Sequence, residues 1–163
     1  MIRVAVLTIS DSGAAGRRAD ASGPRVAARC EEQGWLVSHQ EILPDDAAAI
    51  SQRLAGLAGS GLCDVILTTG GTGIAARDST PDATRAVLEK ELPGLGELMR
   101  AEGLRHTRRA ALSRAVAGTR GRCLIVNLPG SPKGAVESLD AILDLVPHIV
   151  ELLQGQTEHR QET

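Results

Sequence analysis

A short apolar run, a polar or glycine-rich turn and then a helical stretch recur along the chain, and this rhythm most constrains the fold. Ile2–Ser10, Trp35–Leu43 and Asp64–Thr69 read as strands. The first and third are β-branched and aliphatic almost throughout, as expected of strands buried on both faces. Between them, Ser22-Gly23-Pro24 supplies a cap and an early proline for a helix to about Gln33, closed by Gly34. Pro44-Asp45-Asp46 opens a second helix, with Ile50, Leu54 and Leu57 at helical spacing, closing near Gly59–Gly61. Thr80-Pro81-Asp82 opens a third, to about Leu92, and a further helical turn or two follows Pro93–Gly96. Ala115–Gly118 and Arg122–Leu128 read as strands joined by a tight Arg120-Gly121 turn. Ser131-Pro132 begins the last helix, which Pro147 kinks or restarts.

Strands alternating with helices imply parallel βαβ units. The expected fold is a three-layer αβα arrangement with an open, mostly parallel sheet and one antiparallel strand. Residues 1–153 read as a single domain and 154–163 as a polar C-terminal tail. With no Phe or Tyr and only Trp35, the core must be built from Val, Ile, Leu and Ala.

Composition excludes several classes. Eighteen basic and twenty acidic residues leave a net charge of −2, so no global positive field recruits nucleic acid. No apolar stretch approaches the roughly 20 residues of a membrane span, and Val4–Ile9 is too short for a signal-peptide core. Cys30, Cys63 and Cys123 are far apart and odd in number, with no CxxC pair. They read as small buried hydrophobes of a reduced, cytoplasmic chain, neither a disulfide framework nor a zinc site. Arg105, Arg108, Arg109 and Arg114 form a basic stretch with Arg100 and read as a solvated helix face or a subunit contact.

In an open α/β sheet, ligands bind beyond the carboxyl ends of the strands. Four segments lie there: Ser10-Asp11-Ser12, Pro44-Asp45-Asp46, Gly70–Asp78 and Asn127–Lys133. Gly70-Gly71-Thr72-Gly73 leaves backbone amides unobstructed, the makings of an anion nest. It matches neither the P-loop nor the dinucleotide GxGxxG pattern. Asp45 and Asp78 are placed to share Mg²⁺ with substrate phosphate oxygens, although Asp45 taken alone reads first as a helix N-cap. Ser131 at a helix N-terminus, with Lys133 nearby, makes a second anion site. Ser10, Asp11 and Ser12 offer hydroxyls and a carboxylate to a polar ligand, or form a plain Asx-type turn.

Thr68–Gly73 (TTGGTG), Arg77–Thr84 (RDSTPDAT), Leu92–Glu97 (LPGLGE), Leu112–Arg114 (LSR) and Asn127–Lys133 (NLPGSPK) stand in order with compact spacing. With Ile9-Ser10-Asp11 and Ser22-Gly23-Pro24, they resemble the MogA/MoaB family of molybdenum-cofactor biosynthesis proteins, which includes the G domain of gephyrin and its plant counterpart. The similarity spans residues 1–153, roughly. It implies Mg²⁺-dependent transfer of AMP from ATP to the phosphate of molybdopterin, with release of pyrophosphate. A MoaB-like protein that holds molybdopterin without transferring AMP is the alternative. The resemblance makes Asp45 and Asp78 the metal-handling carboxylates. Gly70, Gly71, Thr72 and Gly73 would cradle phosphate or pterin. Ser10 and Asp11 would lie in the same pocket, and Asn127, Pro129, Gly130 and Ser131 would form its other wall. It also implies a homo-oligomer, trimeric or hexameric, and an enzyme that inserts molybdate as a partner; a scaffold role ranks last.

Overall fold

A computed structural model describes residues 1–156. Its centre is β1 (Arg3–Ile9), flanked in parallel by β2 (Leu36–Leu43) and β3 (Val65–Thr69). The sheet continues through β6 (Cys123–Leu128), β5 (Ala117–Arg120) and a two-residue edge strand, β4 (Lys90–Glu91), giving the order β2-β1-β3-β6-β5-β4. Only β5 runs against its neighbours, as the hairpin turn requires. Arg120 pairs with Cys123 across that turn, and Gly121 takes φ 56°, a left-handed conformation that suits the first residue of a tight hairpin loop.

A single helical turn, α1 (Asp11–Ala14), follows β1, and two helical layers cover the sheet. Val4, Val6, Val65, Leu67, Leu124 and Val126 pack with α2 (Ser22–Glu32), α5 (Pro93–Leu104), α6 (Pro132–Ile142) and α7 (Val146–Leu153). On the other face Ala5, Leu7, Ile66 and Ile125 meet α3 (Ala47–Gly59) and α4 (Thr80–Arg85). The single-residue alternation along β1 explains why every position from Val4 to Leu7 is apolar, since both sets of side chains are buried. Trp35 sits at the margin of the first layer, so the core is aliphatic. The three cysteines are buried and free, and desolvation pushes the Cys30 thiol up to about 12.

Three elements differ from the sequence expectation. The helix expected to reach Leu92 stops at Arg85, and the chain then pairs along β5 through Glu89 N–H to Thr119 O and Leu92 N–H to Ala117 O. An unpaired β5 edge outcompetes another helical turn. After Pro93 the chain forms one helix of 12 residues instead of a turn or two. Finally, α2 is capped from outside: Asp20 Oδ1 accepts from Gly23 N–H, while the Ser22 hydroxyl shares a 2.8 Å hydrogen bond with Thr69. Of the polar tail read at 154–163, only residues 154–156 are described; the rest lies outside the described residues.

Candidate active site

Parallel register brings four strand ends level. Thr8 pairs with Thr69 and Thr69 with Leu128, while Ile9 pairs with Leu43. The turns beyond them are tied together, Ser10 N–H to Leu43 O at 2.8 Å and Gly70 N–H to Leu128 O at 3.0 Å. One rim of the sheet therefore carries all four segments singled out in the sequence.

The glycine loop after β3 is built by close approach. Gly70 and Gly71 take φ 91° and 68°. A Cβ on Gly70 would lie 2.5 Å from Ile9 O, and one on Gly71 would strike the Thr80 hydroxyl and stand 3.2 Å from Asp45 Oδ1. The carbonyls of Gly71, Thr72 and Gly73 accept from Thr80 N–H, Arg114 N–H and Arg114 Nε. Among the described residues none of the N–H groups of Gly71, Thr72 and Gly73 donates to the protein. With carbonyls committed and amides uncommitted, the loop has the polarity of an anion nest.

Asp45 is released from the capping role that the sequence allowed it. Asp46 caps α3, accepting from Ala48 N–H at 3.2 Å. Asp45 Oδ2 instead accepts from Asp11 N–H, and Asp11 Oδ1 accepts from Asp45 N–H, both at 3.0 Å. Burial raises the Asp45 carboxyl above its ordinary range; the Asp11 amide opposes this, and the charges of Asp11 and Asp78 add to it. Asp78 accepts from Ala75 N–H at 3.0 Å and lies against Gly73. Asp11 is a strut: Arg77 grips its carboxylate at 2.6 and 3.0 Å, holding it below the usual range.

The ridge formed by Gly70–Gly73 and Pro129–Ser131 divides the predicted residues between two adjoining clefts. The first, about 370 Å³, holds Ser10, Asp45, Gly70, Gly71, Asp78 and Gly130. Here the Ser10 hydroxyl accepts from Gly13 N–H at 3.1 Å. The second, about 410 Å³, is reached by Thr72, Gly73, Asn127, Pro129, Ser131 and Lys133, and by Met99, His106, Arg109 and Leu112. Gly130 fixes the ridge, because a Cβ there would sit 3.3 Å from Gly70 Cα.

Asn127 is fully buried. Its amide donates to the Thr68 and Thr84 hydroxyls at 3.1 and 2.9 Å, and its carbonyl accepts from Val116 N–H at 3.2 Å. That side chain pins β3, β6 and α4 beneath the rim and is committed to the protein.

Arg114 is the residue whose part in this site the basic-stretch reading overlooks. Its guanidinium donates to Gly73 O at 2.8 Å and Asp78 O at 2.7 Å, and pairs with Asp82 at 3.1 Å. It clamps the glycine loop to the segment carrying Asp78 and holds the Asp82 carboxyl below its usual range. No local signal marks the pair, because 32 residues separate its members.

The first cleft fits Mg²⁺ by donor chemistry. Among the described residues no group of three or more His, Cys, Asp or Glu forms a metal cage. Two carboxylates, one of them desolvated, stand beside uncommitted amides, and Mg²⁺ characteristically takes one or two carboxylates plus phosphate oxygens.

Residues 5–148 match the family model described as a probable molybdopterin binding domain. The chain belongs to this family. The molybdopterin adenylyltransferase of Helicobacter pylori strain J99 is 42% identical over 156 residues, covering 94% of this chain and 89% of that protein. The molybdopterin adenylyltransferase of Escherichia coli K12 is 37% identical, with 94% and 86% covered. The crystal structure of the molybdopterin biosynthesis enzyme MoaB from Thermus thermophilus superposes with a TM-score of 0.89 at 50% identity, covering 95% and 98%. As a molybdopterin-binding-family member, the chain has the three-layer fold of its solved relatives.

Proposed function

We propose that this chain is a molybdopterin adenylyltransferase acting in molybdenum-cofactor biosynthesis. Its proximity to relatives bearing that name supports the reaction class. The observation that carries the reading is the pairing of Asp45 and Asp78 with an amide-presenting loop on one side of a narrow ridge. The second cleft opens on the other side. One substrate takes each cleft, and their phosphates meet over the ridge.

A phosphate oxygen of molybdopterin attacks the α-phosphorus of ATP, the new P–O bond forms, and the bond to the β-phosphate oxygen breaks. Pyrophosphate leaves with that electron pair. The substrate is its own nucleophile, so positioning and charge neutralisation supply the catalysis. The amides of Gly71, Thr72 and Gly73 hold phosphate oxygens. Ser131 caps α6, accepting from Gly134 N–H at 3.2 Å, and the N-terminus of that helix faces the second phosphate. Arg114 and the Asp11–Arg77 pair keep the loops from relaxing away. Asp45 and Asp78 would hold Mg²⁺, which when bound offsets phosphate charge and makes pyrophosphate a better leaving group.

Action in the cytoplasm belongs to the same reading; among the described residues no helix is long and apolar enough to cross a membrane. So does a homo-oligomer, trimeric or hexameric. Its support is the exposure of Leu98, Leu104 and Leu112, each about half accessible. An enzyme that inserts molybdate would take the adenylylated product.

The test is product analysis after mixing ATP, Mg²⁺ and molybdopterin with the protein. Adenylylated molybdopterin and pyrophosphate are expected in equal amounts. Molybdopterin bound without pyrophosphate release would make the chain a holder of the pterin instead.

A further inference from the structure

The second cleft contains a charged group to which the transfer chemistry gives no task. Glu137, on α6, lines it with its side chain 19% exposed. Its Oε1 is buried and, among the described residues, has no hydrogen-bond partner. Buried carboxylate oxygens are ordinarily satisfied, because an unmatched charge away from water is costly.

Both neighbouring donors stop short. Lys133 Nζ is 3.8 Å away, on a side chain 76% exposed, and His106 Nδ1 is 3.7 Å away. The other ring nitrogen of His106, Nε2, lies 3.2 Å from Glu102 Oε1. That contact engages Nε2, and at 3.7 and 3.8 Å neither His106 nor Lys133 comes within hydrogen-bond distance of Glu137 Oε1. Among the described residues the buried Oε1 therefore has basic neighbours but no hydrogen bond.

Around it the cleft is lined by Met99, Ala110, Leu112 and Pro129. A mainly apolar wall with Arg100 and Arg109 among its polar members and Glu137 as its one acidic group suits a flat heterocycle carrying adjacent N–H donors. The 2-amino-4-oxopyrimidine edge of a pterin presents N2–H and N3–H side by side. A carboxylate accepts such a pair with both oxygens, as it does from a guanidinium. Glu137 lies six residues beyond Ser131. At the helical rise that is about 9 Å along α6 from the ridge, room for a pterin whose phosphate sits at the helix N-terminus.

We propose that Glu137 is the specificity-determining residue for the pterin, accepting hydrogen bonds from its N2–H and N3–H edge. The proposal rests on the molybdopterin reading above and names the contact that selects the heterocycle. Its counterpart is discrimination. A 2-oxo ring loses one donor of the pair and leaves one carboxylate oxygen unmatched, the kind of mismatch by which a polar site rejects an analogue.

Two measurements test it, both on the full chain and its isosteric variant Glu137→Gln. In steady-state AMP transfer, the KM for molybdopterin is expected to rise about ten- to a hundredfold, the loss of a charge-assisted hydrogen bond. The KM for ATP and the kcat should stay near wild type, as for an interaction made equally in ground and transition states. A merely structural role would lower kcat or the melting temperature instead. In fluorescence titrations, wild type should bind pterin-6-carboxylate more tightly than lumazine-6-carboxylate, and Glu137→Gln should lose that preference. An unchanged molybdopterin KM, or a preference that survives the substitution, overturns the proposal. Wild type that transfers no AMP overturns the adenylylation reading alone, because loss of the amino preference in Glu137→Gln would still uphold Glu137.

Discussion

Two aspartates near opposite ends of the same parallel strands meet opposite fates. Asp64, at the N-terminal end of β3, is gripped by Arg3, whose backbone N–H, Nε and Nη2 donate at 2.9, 3.2 and 3.0 Å. Those bonds outweigh burial and hold the carboxyl below its usual range. Asp45, at the C-terminal end of β2, has one backbone donor and two acidic neighbours, and burial raises it. The chain thus satisfies the carboxylate it uses as a clasp and leaves underpaired the one it presents to ligand. Perturbation by desolvation and like charge in a cleft is the physical mark of a working site, whereas a complete set of partners marks structure.

The comparison breaks most visibly through activity. Asp45→Asn and Asp78→Asn are each expected to lower kcat/KM for AMP transfer by about a thousandfold, roughly 4 kcal/mol of transition-state stabilisation. Their melting temperatures should stay within a few degrees of wild type by scanning calorimetry. Near-normal turnover in both variants would remove the carboxylates from the chemistry. Asn127→Leu probes the framework beneath the rim. It strands Val116 N–H and two threonine hydroxyls that Asn127 satisfies, so urea denaturation should show a loss of about 3 kcal/mol. Asp64→Asn reverses the pattern of Asp45: a loss of about 2 kcal/mol in stability, moderated by the 40% exposure of Arg3, with turnover retained.

The smallest effect is in the pH dependence, where the two aspartates have opposite signs. The folded pKa of Asp64 is depressed, so its stabilisation is present above the unfolded carboxylate pKa and is lost as pH falls through the lower folded value. The folded pKa of Asp45 is raised, so its ionisation opposes folding at neutral pH, and that penalty disappears on acidification. Melting curves from pH 7 to pH 3 should therefore show the deficit of Asp64→Asn shrinking with acid. Any gain from Asp45→Asn should shrink as well. Parallel curves for wild type and both variants would contradict the assigned shifts.

What could be read from the sequence divides along similar lines. The strands β1 and β3 are short runs rich in β-branched and aliphatic residues, and the turn glycines are visible because close approach demands them at Gly70 and Gly71. Asp45 and Asp78 are legible as strand-end acids. The two-cleft arrangement is not, since it depends on how the Pro129–Ser131 turn packs on the glycine loop. The Arg114 clamp and the Asp11–Arg77 strut join residues distant in sequence, and charge composition cannot pair them. The edge strand β4 is missed for a related reason. Its two residues have no strand pattern, and only the open edge of β5 recruits them.

The most direct measurement is electron paramagnetic resonance of Mn²⁺, standing in for Mg²⁺, titrated into the protein with a non-hydrolysable ATP analogue. Nucleotide-dependent binding is predicted for wild type and Asp64→Asn, and its loss is predicted in Asp45→Asn and Asp78→Asn. Undiminished binding in the rim variants, or its loss in Asp64→Asn alone, would contradict the contrast between the two ends of the sheet.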